Sequence, residues 1–117
     1  MHLEKQILWK GYSANAWKLI NIQPNLGEGK TLCVFGCWRD AAALDIGESM
    51  QLPITANAEI SGAFPSEEEC YLGAALLSVM KTQVITPATY NPDGTILMPA
   101  ISGLVETNVL KNGIFVE

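Results

Sequence analysis

Apolar and polar residues alternate at the start of the chain, with Lys5 and Leu8 breaking the pattern. Leu3, Ile7 and Trp9 fall on one side of the segment Leu3 to Lys10, and His2, Glu4, Gln6 and Lys10 on the other. A period of two with aromatic and β-branched content predicts a half-buried strand. Gly11-Tyr12-Ser13 reads as a turn, and Ala16 to Gln23 as a second strand with Trp17 and Leu19 on one face. Pro24 through Gly29 has loop composition, because proline cannot donate to a ladder and glycine accepts positive φ. Lys30 to Trp38 predicts a third strand. Its run Thr31-Leu32-Cys33-Val34-Phe35 is apolar on both sides, which implies a strand covered on both faces. These three elements form an antiparallel meander.

The period then changes. Asp40 is placed to cap one helical turn through Ala41-Ala42-Ala43, which Gly47 would end. Met50 to Ile60 alternates again, with Pro53 marking an edge or a bulge. Ser66 to Thr82 carries the strongest local signal, a helix. Ser66 and Glu69 have capping-box spacing, Glu67, Glu68 and Glu69 lie at the positive end of the helix dipole, and Lys81 lies at the other end. Leu72, Ala75, Leu76, Val79 and Met80 fall at helical spacing and predict a buried stripe. Val84-Ile85-Thr86 reads as a strand stopped by Pro87, Asn91-Pro92-Asp93-Gly94 as a turn, and Thr95 to Met98 as its returning strand. Ile101 to Leu110 is apolar and irregular. Asn112-Gly113 is a second hairpin-type turn between Val109-Leu110 and Ile114-Phe115-Val116. The expected fold class is α+β: a mainly antiparallel β-sheet, a small sandwich or barrel, with one main helix packed across it.

Length bounds the chain to one domain, residues 1–117. Charged residues make up only 16% of it and hydrophobic ones 49%. A charge-poor surface fits either contacts with other subunits or a compact protein with a neutral polar exterior. Net charge is −5, and the seven Lys and Arg are scattered singly. Phosphate neutralisation needs a basic patch, so nucleic acid is excluded as a partner, and an anionic membrane is disfavoured for the same reason. No apolar stretch is long enough to insert in a bilayer. The N-terminal residues carry no apolar core of a secretion signal.

The candidate chemistry reduces to packing. Cys33 and Cys37 are about 13 Å apart along a strand, too far to share a metal. His2 is the only histidine, at an end expected to be mobile, and has no nucleophile or orienting group paired with it in sequence. The three consecutive glutamates diverge around a helix rather than converging on a cation. Gly27-Glu28-Gly29-Lys30-Thr31 echoes a phosphate-binding loop but lacks the earlier glycine and the strand-to-helix context. Trp9, Trp17 and Trp38 read as cross-strand core packing, with a sugar-stacking face around Trp38-Arg39-Asp40 as the alternative. Cys70 at a helix start is the one imaginable nucleophile. No catalytic, cofactor-binding or metal-binding set is assigned, no cofactor is expected, and the chain reads as no enzyme.

Several features taken together resemble the small tail-associated structural proteins of tailed bacteriophages and prophages. They are the Gln6 to Trp9 strand, Ala16-Trp17-Lys18 opening the second strand, Gly36 closing the third, Ala41-Ala42 before Gly47, and the acidic-capped helix from Ser66 to Lys81. The resemblance covers roughly the first 80 residues. It implies a non-enzymatic assembly subunit of a phage tail or virion, built in the host cytoplasm. Such a subunit would contact other virion proteins and its own copies in a symmetric oligomer. A β-rich binding module, for particle decoration or carbohydrate, is the alternative.

Overall fold

The N-terminal alternation folds as expected into strands β1 (His2–Trp9) and β2 (Tyr12–Asn25), joined by a two-residue turn. Lys10 and Gly11 both take positive φ, 50° and 82°, as a tight hairpin matched to strand twist requires. The turn therefore lies one residue earlier than expected, and Tyr12 already pairs with Trp9. β2 pairs with β3 (Lys30–Trp38), and β3 with β4 (Leu52–Ser61), all antiparallel. A short C-terminal strand, β9 (Ile114–Val116), joins the other side of β1. The sheet order is β4-β3-β2-β1-β9, so the sheet is open, with β4 and β9 as its edges. It does not close into a barrel, and the layer on its main face is a helix. Pro53 falls where the β3–β4 register slips, on an edge strand, as its missing donor demands.

The computed structural model describes every residue from Met1 to Glu117. The chain divides into two compact units: residues 1–77 with 108–117, and residues 78–107. The first unit holds the hydrophobic core. Helix α2 (Glu67–Leu76) lies across one sheet face and buries Cys70, Tyr71, Ala74 and Ala75 against Leu3, Trp17, Cys33, Phe35 and Cys37. Tyr71 sits between two rings, with centroids 5.6 Å from Phe35 and 5.7 Å from Phe115. Its hydroxyl accepts from the Leu19 amide at 2.8 Å, beside the register slip between Leu19 and Asn21. On the opposite face, helix α1 (Ala41–Ile46) covers Ala16 and Trp38. Asp40 caps α1 by accepting from the Ala43 amide at 2.8 Å, and Gly47 ends it, both as expected. A Cβ at Gly36 would come within 2.7 Å of the end of the Gln51 side chain and 3.1 Å of the Trp38 ring, so any larger residue there would have to displace Gln51 and crowd the indole. β3 is thus covered on both faces only toward Gly36 and Trp38, while Leu32 and Val34 remain half-exposed.

Two expectations fail at the end of α2. The helix stops at Leu76 instead of continuing to Thr82, and Met80 opens a strand. Leu72 and Leu76 of the expected stripe are 42% and 75% exposed. The residues that return after the second unit supply the reason, because they satisfy the last carbonyls of the helix. Asn108 Nδ2 donates to the Ala74 and Leu77 carbonyls, both at 2.8 Å. Lys111 Nζ reaches the Leu76 carbonyl and the Asn112 amide that of Ala75. A helix end needs such acceptors matched, and here a segment 30 residues further along the sequence does it. Val109-Leu110, expected to flank a hairpin, instead belong to this capping turn, and Leu110 is fully buried.

The second unit is a hairpin. β5 (Met80–Thr86) pairs antiparallel with β8 (Ile101–Glu106), and beyond them β6 (Thr89–Tyr90) pairs with β7 (Ile96–Met98). Ile101 to Glu106 is therefore regular, contrary to the sequence expectation. Pro87 and Pro99 fall between the two ladders, which they interrupt because neither offers an N–H. The expected turn at Asn91 to Gly94 is present, with Gly94 at φ 89°. There Asp93 accepts from the Thr95 amide and hydroxyl at 2.9 and 2.6 Å. At the base, the Glu106 carboxylate accepts from the Val79 amide and the Ser78 hydroxyl, and Thr107 donates to the Val79 carbonyl.

Candidate functional site

His2 and the three cysteines, which sequence reading weighed for chemistry, are packed away. His2 lies within β1, paired with Val116 and only 9% exposed, instead of at a mobile end. Its Nε2 stands 3.3 Å from a Glu4 carboxylate oxygen. All three cysteines are fully buried. Burial pushes the Cys33 thiol up to about 12, with the neighbouring Cys70 thiol adding to the rise, and the Cys37 thiol up to about 11. Cys70 is raised as well, by burial first, with the Glu69 and Glu67 carboxylates contributing, although the Cys33 thiol pulls the other way. A nucleophilic thiol needs the reverse shift and access to solvent, so Cys70 is built as a core residue.

Two of the three tryptophans follow the packing reading, Trp17 and Trp38 in separate core clusters on opposite sheet faces, and Trp9 does not join either. Trp17 is 1% exposed with its indole N–H on the Lys5 carbonyl, and Trp38 is 3% exposed with its N–H on the Gly47 carbonyl. The sugar-stacking alternative loses its platform, because the face of Trp38 is covered by α1. Trp9 is half-buried and holds the Lys10 ammonium 4.8 Å from its ring centre. The Gly27 to Thr31 segment joins two strands beside an open hollow of about 550 Å³, and Lys30 is 3.4 Å from the Glu59 carboxylate. A lysine paired in that way at a strand-to-strand turn does not make a phosphate loop. Glu67, Glu68 and Glu69 begin α2, and the reciprocal Ser66–Glu69 bonds of the capping box are both present. No group of three His, Cys, Asp or Glu is arranged to hold a metal, and no helix is long and apolar enough to cross a membrane.

What sequence reading missed is the hairpin surface. No residue from Ser78 to Thr107 is buried. Nine large apolar side chains between Met80 and Leu104 are 49–67% exposed, Leu104 the most and Met80 the least. Directly opposed residues share a face of a ladder. Thr82 faces Leu104 and Val84 faces Ser102, so both Val84 and Leu104 stand on the side that carries Met80. At the tip, Tyr90 opposes Ile96 and Thr89 opposes Met98. A lone two-stranded hairpin with no apolar face covered is marginal in water. At on the order of 100 Å² per side chain, the exposed apolar surface of this hairpin reaches about 1,000 Å², summed over both faces of the ladder and its tip. The signal was present in sequence as two apolar runs flanking Asn91 to Gly94. Spacing alone does not tell a strand that packs inside its own chain from one that packs elsewhere.

No protein-family model, curated protein or solved structure matches the chain.

Proposed function

We propose that this protein is a non-enzymatic assembly subunit that works through protein–protein contacts, with the hairpin of residues 78–107 as its main docking element. The observation that carries the reading is the absence of any buried residue in a 30-residue hairpin lined with large apolar side chains. Ordering such a segment costs conformational entropy that its own contacts do not offset. A partner that covers the apolar side chains supplies the missing term, since each removes area from water at about 25 cal/mol per Å². The burial and raised pKa of every cysteine support a role without thiol chemistry. The setting we propose is the one that the resemblance of residues 1–80 implies, a bacteriophage tail or virion. There a subunit needs complementary surfaces rather than a pocket.

The test is size-exclusion chromatography with light scattering over a concentration series, followed by co-sedimentation with assembled particles. A discrete oligomer, or entry into the particle pellet, is the expected result. A chain that stays monomeric at every concentration and remains in the supernatant overturns the reading.

A further inference from the structure

The docking role leaves the partner open, and the same chain presents a surface suited to receive the hairpin. β4 is an edge strand of ten residues whose outer side pairs with nothing. Natural edges of this length are blunted by lysines, central prolines or a covering segment. β4 carries no lysine, its only proline stands at its second position, and its one charge, Glu59, is matched by Lys30 at 3.4 Å. The other edge, β9, is three residues long. Beside β4, Leu32 and Val34 of β3 are half-exposed on the face that also carries Asn57 and Glu59, which gives apolar ground next to the open ladder.

We propose that the hairpin of one copy docks along β4 of a second copy of this chain, adding a strand to its sheet. This rests on the assembly reading and names its partner. The outer edges of β5 and β8 offer seven and six residues before Pro87 and Pro99 interrupt them, a length that β4 accommodates. The pairing satisfies two unpaired edges at once, whereas joining two hairpins to each other leaves β4 open. The hairpin carries one cation, Lys81, and two anions, Asp93 and Glu106. Glu106 is bonded at its base, so no block of like charge opposes the approach to β4. Hairpin-to-edge docking is heterologous, because each copy gives one surface and receives on another. Repetition then makes a ring where the rotation closes and a filament where it does not.

The experiment uses two full-length variants, Asn57→Cys on β4 and Thr82→Cys on the hairpin, with a short bismaleimide cross-linker. Both positions are exposed, and the native cysteines are fully buried, so each variant offers one reactive thiol and every cross-link joins two copies. The mixture is expected to yield a covalent dimer at least tenfold faster than either variant alone. Adding Leu104→Asp to the Thr82→Cys chain is expected to slow that reaction by tenfold or more. Fastest cross-linking of Thr82→Cys with itself means hairpin-to-hairpin pairing and overturns the proposal. Absence of cross-linking from chains that still co-sediment with particles also overturns it, while the assembly reading stands. Absence of cross-linking from chains that stay monomeric and do not co-sediment overturns both.

Discussion

Asn108 is the residue on which the return from the hairpin depends, and its removal tests the account of how the first unit is closed. Its Nδ2 donates to the Ala74 and Leu77 carbonyls at 2.8 Å each, and its Oδ1 accepts from the Leu110 amide at 3.1 Å. Two carbonyls on one side of the amide fix which atom is nitrogen, because the flipped group would set oxygen against oxygen. The bonds to Ala74 and from Leu110 are buried, so Asn108→Ala leaves a helix carbonyl and an amide without water to replace the lost partner. An orphaned buried group costs roughly 1–3 kcal/mol, and the more accessible Leu77 carbonyl loses about 0.5–1.5 kcal/mol. Taken near the lower bounds of the three, the sum is about 3 kcal/mol, a large part of the roughly 5–15 kcal/mol that holds a domain folded. With a urea slope of about 1.5 kcal/mol/M, the midpoint falls by about 2 M. Trp17 and Trp38, both buried in the same unit, report the transition by fluorescence. Asn108→Asp sharpens the test, since it keeps the size and the acceptor but turns a carboxylate toward two carbonyl oxygens. It should be at least as damaging as alanine at neutral pH and recover in part when acid restores one donor. A loss below about 1 kcal/mol for alanine, or a milder effect of aspartate at neutral pH, refutes the reasoning.

Three further outcomes follow from buried or bonded groups. Tyr71→Phe keeps both ring contacts but leaves the Leu19 amide without its acceptor, so urea titration should show a loss of about 1–2 kcal/mol, and a change within 0.3 kcal/mol would refute it. Cys33, Cys37 and Cys70 should resist a thiol reagent in the native state and react together on unfolding. Because the folded thiols ionise higher than unfolded ones, their contribution is complete below the unfolded value near ~8.5. It is lost as pH rises toward about 11 for Cys37 and about 12 for Cys33, and a urea midpoint that rises through that alkaline range refutes the sign. Asp93 is held below its ordinary value by the Thr95 hydroxyl and amide, so the turn is complete above the ordinary carboxylate value and loosens only as pH falls through the lower folded one. A carboxyl titration by NMR at or above the ordinary value counts against that geometry.

The meander was legible because alternation, turn residues and burial agree there. Trp17 and Leu19 point to one face, Cys33 and Phe35 are inside, and only the first turn was displaced, to Lys10–Gly11 from Gly11 to Ser13. The caps of both helices were legible for the same local reason, since Asp40 and Ser66 act within three residues of themselves. The order of the sheet was less so. β9 pairs with β1 across more than a hundred residues, and nothing in Ile114-Phe115-Val116 names that partner. The end of α2 was illegible because it is set from outside. Val79 and Met80 continue the helical spacing, and only the capping segment around Asn108 makes Leu76 the last residue.

Apolar spacing records burial without saying against what. In the first unit the apolar side chains and the core coincide, so pattern and structure agree. From Met80 to Leu104 the chain carries nine large apolar side chains, yet nothing in this chain buries them. Reading Leu72 to Met80 as one helical stripe assigned two different surfaces to a single face. Leu72 and Leu76 belong to a helix that presents Tyr71 and Ala74 inward, and Met80 belongs to the hairpin. Local rules tend to break where a chain is shaped for something other than its own stability. Here they break from the end of α2 onward, where the chain leaves its core for a hairpin that buries none of its residues. The break in the pattern and the unburied surface are thus one feature.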